Sequence, residues 1–272
     1  MKRSLFLSFS TLGCPDFSWE EAVSLAKNYG FSGIELRCLN GGLDLVNQLQ
    51  KTFHNPATMK RVVDDSGVKV SSLDASLRLL EATEESWQEI IDMAAWADAL
   101  ELPYLRVFDG GEYGGGLKPE VRSKLLEALA KWQALREKKG ILCDIMIETH
   151  WALTSAEACL RLGEEASAND QPLNLLWDTC HTWNHSGLKL DEGWNLLKPW
   201  VRHIHVKDSI SKEGKVQHTL PGEGEVLVAP LLDLLERDGF KGPISLEWEL
   251  MWDKSLPPLV QALDSAKNHG WW

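Results

Sequence analysis

Paired cysteines are missing from this chain: Cys14, Cys38, Cys143, Cys159 and Cys180 are scattered, odd in number and never spaced as Cys-x-x-Cys. That argues against a disulfide-stapled scaffold or a paired-thiolate zinc module and points to reduced thiols in a cytoplasmic protein. Long apolar runs are also missing. Nothing approaches the roughly 18 residues needed to cross a bilayer, so no membrane partner is expected. Positive charge is scarce, with 28 Lys and Arg against 40 Asp and Glu and a formal net charge of −12. Such a surface repels phosphate backbones, and nucleic acid is not an expected partner. No Pro/Gly/Ser-rich linker divides the chain, so residues 1–272 read as one domain. The opening "MKRSLFLSFSTLGC" imitates a lipoprotein signal. Its apolar run is broken by Ser4, Ser8 and Ser10, and Thr11 stands where a branched apolar residue belongs, so processing is not expected. The Gly-rich "DGGEYGGGLKP" at 109–119 lacks the Lys-Ser/Thr of a phosphate-binding loop and reads as a rim loop.

What the chain does have is 44% hydrophobic and 25% charged residues over 272 positions, enough to bury a large core. Short β-rich runs alternate with helical patterns from end to end. Candidate strands are 5–12, 33–38, 68–75, 104–110, 141–150, 173–179, 202–208 and 243–250. Between them lie stretches such as "SWEEAVSLAKNYG", opening on a capping box from Ser18 to Glu21 and closing on Gly30. Another is "KPEVRSKLLEALAKWQALREKKG", with Pro119 early and Gly140 at its stop. A βα unit repeated eight times closes into an α/β (β/α)8 TIM barrel, with a doubly wound open sheet as the alternative.

In such a barrel alternate strand residues face the packed interior, and functional groups gather at the carboxyl ends. Parity then sorts the polar residues. In "ILCDIMIETH" Asp144, Met146, Glu148 and His150 face inward; in "LNLLWDT" Asn174, Leu176 and Asp178 do. His203, His205 and Lys207 share the inner face of the seventh strand, and Ser245, Glu247 and Glu249 that of the eighth. Buried carboxylates need a counter-charge, most simply a cation. Glu148, Asp178, His205 and Glu247 supply three carboxylates and one imidazole, a donor set that suits Mn²⁺, Mg²⁺ or Co²⁺ and admits Zn²⁺. The alternative is a set of ion-paired layers with Arg106, Lys207 and Arg202.

The chain resembles the xylose-isomerase-like barrel superfamily, which holds sugar isomerases and epimerases, inosose dehydratase and endonuclease IV-type nucleases. The resemblance runs from "STLGCPDFSWEEAV" through "GIEL", "YLRVFDGG", "IMIETH", "WDTCH", "HIHVKD" and "PGEGEV" to "ISLEWE". It implies that Glu148, Asp178, His205 and Glu247 are metal ligands and that Glu148 and Glu247 also act as catalytic acid and base. His181 matches an Asp-x-x-His histidine that contacts substrate in the epimerases and binds a further metal in the nucleases. His218 matches a nuclease ligand, but Val216 replaces the aspartate two residues before it, and strands two to four end without histidine. A three-metal nuclease site therefore looks incomplete.

The residue types suit proton transfer next to a carbonyl, with a divalent ion stabilising the enediolate that develops. The leading expectation is a sugar or keto-sugar isomerase or epimerase acting on a small molecule. A lyase of the inosose-dehydratase kind is the alternative; a phosphodiester nuclease or a non-catalytic binding protein follows. Further substrate-binding candidates are His150, Arg106, Lys207 and Glu35, the last otherwise pairing with Arg37. Trp151 and Trp183, just past strands five and six, are rim candidates. Trp177 and Trp248 point toward the helices, and Trp87, Trp96 and Trp132 read as core. His203 reads as a core histidine, and Glu249 replaces Glu247 if the last strand slips by two. The terminal Trp271-Trp272 docks onto the barrel or onto a second copy, which leaves a homo-oligomer open.

Overall fold

Ser18 accepts the Glu21 N–H while the Glu21 carboxylate accepts the N–H of Ser18, and this reciprocal cap starts helix α1 (Trp19–Tyr29) where the sequence placed it. Gly30 ends it in the left-handed conformation at φ 73°. In the computed structural model, which describes residues 3–212 and 215–272, α1 lies between strands β1 (Phe6–Ser10) and β2 (Gly33–Leu36). The chain continues through α2 (Leu45–Phe53), α3 (Pro56–Ser66), β3 (Lys69–Arg78), α4 (Glu84–Ala99), β4 (Tyr104–Phe108), α5 (Pro119–Lys139) and β5 (Asp144–Glu148). Then come α6 (Ala156–Ala168), β6 (Leu175–Asp178), α7 (Thr179–Ser186), α8 (Leu190–Leu197) and β7 (Val201–Val206). The remaining elements are the hairpin β8 (Asp208–Lys212) and β9 (Lys215–Thr219), α9 (Val228–Arg237), β10 (Pro243–Leu246) and α10 (Leu259–Asn268).

Eight parallel strands close in the order β1-β10-β7-β6-β5-β4-β3-β2, each next to its neighbour in the chain once the hairpin is set aside. The result is a (β/α)8 barrel. Residues on the outer parity (Ile145, Ile147, Leu175, Trp177, Ile204, Val206, Ile244, Leu246 and Trp248) are buried against the helices. Each large side chain buried this way contributes about 1.5–3 kcal/mol. Trp87 and Trp132 stack between α4 and α5, their rings 6.4 Å apart. Trp271 is buried and Trp272 packs on Phe31 at 4.9 Å, so the C-terminus docks onto its own barrel. No described helix is long and apolar enough to cross a membrane.

Two local departures from the sequence reading have clear causes. The seventh strand stops at Val206, and residues 208–212 and 215–219 pair outside the barrel as antiparallel strands. Asp208 drives this turn: its carboxylate accepts the backbone N–H groups of Ser209, Gly222, Gly224 and Val226. Gly224 cannot be replaced easily, because a Cβ there would lie 2.1 Å from Asp208 Oδ1. Asp144 is the second departure. As the first residue of β5 it sits at the edge of the barrel, where Trp132 and Gln133 of α5 donate to its carboxylate and Arg136 pairs with it, and it does not join the inner cluster.

Candidate metal centre and its surroundings

Four residues converge where β5, β6, β7 and β10 end. Glu148 closes β5, Asp178 closes β6, His205 lies on β7, and Glu247 follows the last residue of β10, its N–H donating to Val206 O at 3.1 Å. Asp178 has two tasks. Its Oδ1 accepts the N–H groups of Cys180 and His181, each at 2.9 Å, and caps α7, which leaves Oδ2 facing the cluster. His205 directs Nε2 to Glu35 Oε2 at 2.9 Å. The ionised Glu35 carboxylate only accepts, so Nε2 carries the proton and Nδ1 presents its lone pair. That lone pair faces Glu247 at 3.3 Å, Glu148 at 3.8 Å and Asp178 at 3.9 Å.

Three carboxylate oxygens around an imidazole lone pair repel one another unless a positive charge sits among them. The four donor atoms lie within 4.8 Å of one another, a span that one ion with bonds of about 2.0–2.4 Å bridges. Glu148 Oε2, Asp178 Oδ2 and His205 Nδ1 are buried without a hydrogen-bond partner. The residues fit a divalent cation.

Without an ion, other charges hold the cluster together. Lys207 Nζ lies 2.8 Å from Asp178 Oδ2 and 2.5 Å from Glu249, and it also pairs with Glu247. Burial disfavours its charge, but Asp178, Glu247 and Glu249 keep the ammonium well above its usual range. Burial likewise opposes a charged His205, and Glu247 and Glu35 more than reverse that, raising its basicity well above normal. A proton on Nδ1 thus competes with a metal for the same lone pair. Burial alone would push Glu148 up; Arg106 and His205 prevail over it and over Glu247, holding the carboxyl down at about 2. Glu247 stands well below the carboxylate range, burial being outweighed by His205 and Lys207.

Beneath this cluster lies a second charged layer. Glu35 Oε2 is shared by His205 and His203, the latter at 3.0 Å, and His203 Nε2 also meets Ser245 Oγ at 2.7 Å. Arg106 Nε stands 3.2 Å from Glu148 Oε2, its Nη1 donates to Ala75 O and its Nη2 to Asp74. Ser72 closes the set by donating to Asp74 Oδ1 at 2.7 Å. Glu35 and Arg106 were expected to meet substrate. The structure buries both, at 0% and 1% exposure, as supports of His205 and Glu148. Glu35 does not pair with Arg37, whose guanidinium goes instead to Ser76 and Leu43 O.

Nearer solvent, the His150 and His181 rings lie 4.3 Å apart, and with Glu148 they form another compact group of ligand-type atoms. Burial, then the neighbouring His181, push His150 down to about 4, which leaves it neutral at pH 7. Trp151 packs on His150 at 4.0 Å and on Phe108 at 5.0 Å, with the Arg78 guanidinium 4.3 Å over its ring. Asp109 anchors this rim by accepting the N–H groups of Gly110, Trp151 and Leu153. Tyr113, in the Gly-rich loop, sets its ring 6.4 Å from His181; nothing in its composition-poor surroundings marked it in the sequence. Trp183 is set apart: it lines an outer groove with Leu190, Leu231 and Arg237, away from the cluster. His218 bonds Ser209 Oγ at 3.0 Å and, among the described residues, belongs to no compact ligand group.

Comparison with known proteins places this geometry in context. A family model described as xylose isomerase-like TIM barrel matches residues 23–269. An inosose dehydratase of Klebsiella pneumoniae is 22% identical over 261 residues, covering 85% of this chain and 83% of that protein. Among the solved structures that share the fold are these two. The IOLI protein with a zinc atom has a TM-score of 0.73 at 17% identity, covering 97% of this chain and 96% of the other. The 3-keto-D-glucoside 4-epimerase YcjR of E. coli has a TM-score of 0.69 at 14% identity, covering 98% and 99%.

Proposed function

The chain belongs to the xylose isomerase-like TIM barrel family, and from that premise we propose that it is a divalent-metal-dependent isomerase or epimerase of a sugar or keto-sugar. The observation that carries this reading is the pairing of Glu148 and Glu247 around one imidazole lone pair, from strands three apart in barrel order. Glu148, Asp178, His205 and Glu247 would hold the ion. When bound, it supplies a Lewis acid that makes the carbon beside a carbonyl more acidic and offsets enediolate charge.

The chain's own groups supply the remaining chemistry. Glu148 and Glu247 are both kept ionised by neighbouring cations, so either can take a proton from carbon at neutral pH. The carboxyl that took the proton can return it to the neighbouring carbon, which moves the carbonyl; inversion of the same centre needs the opposite carboxylate first to take up a proton from solvent and then to deliver it from the other side. His181 and the neutral His150 offer hydrogen bonds to substrate hydroxyls, and Trp151 provides an apolar wall for a sugar face. Arg106 and Glu35 fix the orientation of Glu148 and His205 from beneath. The five free, buried thiols support a reducing compartment such as the cytoplasm.

A dehydratase is the second reading, favoured by the inosose dehydratase relative. It shares the proton-abstraction step and then expels a hydroxide, protonated to water by the carboxyl that has just taken the proton from carbon. Turnover in D₂O separates the two. An isomerase or epimerase that exchanges its proton with solvent returns sugar carrying deuterium at the reacting carbon, whereas a dehydratase yields a product lighter by one water. If metal-reconstituted protein converts no member of a broad panel of sugars, keto-sugars and inososes, both readings fail.

A further inference from the structure

At the opposite end of the barrel, where β1, β3, β4, β7 and β10 begin, there is a cavity of about 540 Å³. That volume lies within the range of small-molecule sites, roughly 300–1,000 Å³. Its wall is apolar, formed by Phe6, Val70, Met146 and Phe240. Its rim is basic. Lys60 is tied to Asp64 at 2.7 Å, whereas Lys69, Arg202 and Lys241 carry no ion pair among the described residues and face one remaining carboxylate, Glu101. In a chain of net charge −12, three cations facing one carboxylate around one apolar chamber leave an excess of two positive charges and form a local reversal of sign. At the inner end lies His203, 1% exposed, whose Nδ1 is buried without a hydrogen-bond partner while its Nε2 is engaged by Ser245 and Glu35. An apolar chamber and a cationic rim that outnumbers its carboxylates are the elements of a site for an apolar anion.

We propose that this cavity is a second binding site, distinct from the metal centre, for a small organic carboxylate with an apolar body. The carboxylate lies at the rim among Lys69, Arg202 and Lys241, and the body lies against Phe6, Val70, Met146 and Phe240. The occupant reaches His203, which shares Glu35 Oε2 with His205, so the two sites are separated by one carboxylate.

Fluorine NMR on the full chain, with 4-fluorobenzoate as the probe and neutral 4-fluorobenzyl alcohol beside it, tests the proposal. A chelator is kept present so that the benzoate cannot bind a metal at the other end. Saturable benzoate binding in the millimolar range or tighter is expected, with the alcohol at least fivefold weaker. In the double variant Lys69→Glu/Lys241→Glu, which changes two exposed side chains, benzoate affinity is expected to fall about tenfold or more. No saturation by 10 mM, equal binding of the alcohol, or undiminished binding in the double variant would each overturn the proposal.

Discussion

Two charged layers lie one above the other inside this barrel, and they differ in how their charges are satisfied. In the lower layer Glu35 is bracketed by His203 and His205, and Asp74 by Arg106 and Ser72. In the upper layer Glu148, Asp178 and Glu247 crowd a single imidazole nitrogen, and three buried donor atoms are left without hydrogen bonds. Both layers are almost fully buried, so burial of charge does not by itself mark a functional site. The lower layer also leaves Glu35 Oε1, Arg106 Nε and His203 Nδ1 without hydrogen bonds, so the useful distinction is how many like charges converge on one point: one carboxylate between two imidazoles below, three carboxylates around one imidazole above.

Substitutions in the upper layer should have the largest effect. Glu148→Gln and Asp178→Asn are each expected to lose bound metal and to lower turnover by about 10³-fold or more, read by elemental analysis and initial rates. Retention of both properties would erase the difference between the layers. Next comes Lys207→Met, which removes the ammonium facing three carboxylates. It should destabilise metal-free protein by about 3–5 kcal/mol in urea titration, with most of the loss recovered when Mn²⁺ is added. Acid titration probes the same balance. Glu148, at about 2, and Glu247 and Glu35, well below normal, have folded values depressed below the unfolded ones. Their stabilisation is therefore complete above about pH 5 and is lost as the pH falls through the folded values, and Glu148→Gln should flatten the acid-unfolding curve.

Smaller effects sharpen the contrast. Glu35→Gln should weaken metal affinity by about 10–100-fold in chelator competition while leaving turnover at saturating metal far closer to normal than Glu148→Gln does. An equal loss in the two variants would make the lower layer part of the reacting site. His181→Ala should raise KM about tenfold with metal content unchanged. Loss of metal in that variant would assign His181 to the ion instead of the substrate.

Strand parity carried much of this site, because a period of two leaves each residue of a strand only two directions to face. It sends Glu148, Asp178, His205 and Glu247 to the same end of the barrel interior from the sequence alone. Parity could not show what each group would pair with. Glu35 sits 170 residues from His205, and only closure of the barrel brings them into contact; in the linear chain Arg37 looked the nearer partner. Asp144 kept the right parity but sat at the edge, where the following rule is set by α5 and not by the lumen. The pairing of 208–212 with 215–219 is hidden in the sequence because its ladder is short and polar and depends on one carboxylate gathering four N–H groups. Position just past strand six makes Trp183 a rim candidate, but the chain enters α7 directly after Asp178 and the ring lines an outer groove.

Lys207 has a consequence for the order of assembly. In small zinc modules the ion arrives first or the chain does not fold, because nothing else neutralises the ligands. Here the polypeptide brings a positive charge of its own, covalently attached and seated against Asp178, Glu247 and Glu249. The barrel can close, leave the ribosome and wait. For the proposed metal centre, loading would then be an exchange in a finished cage, one cation giving ground to another.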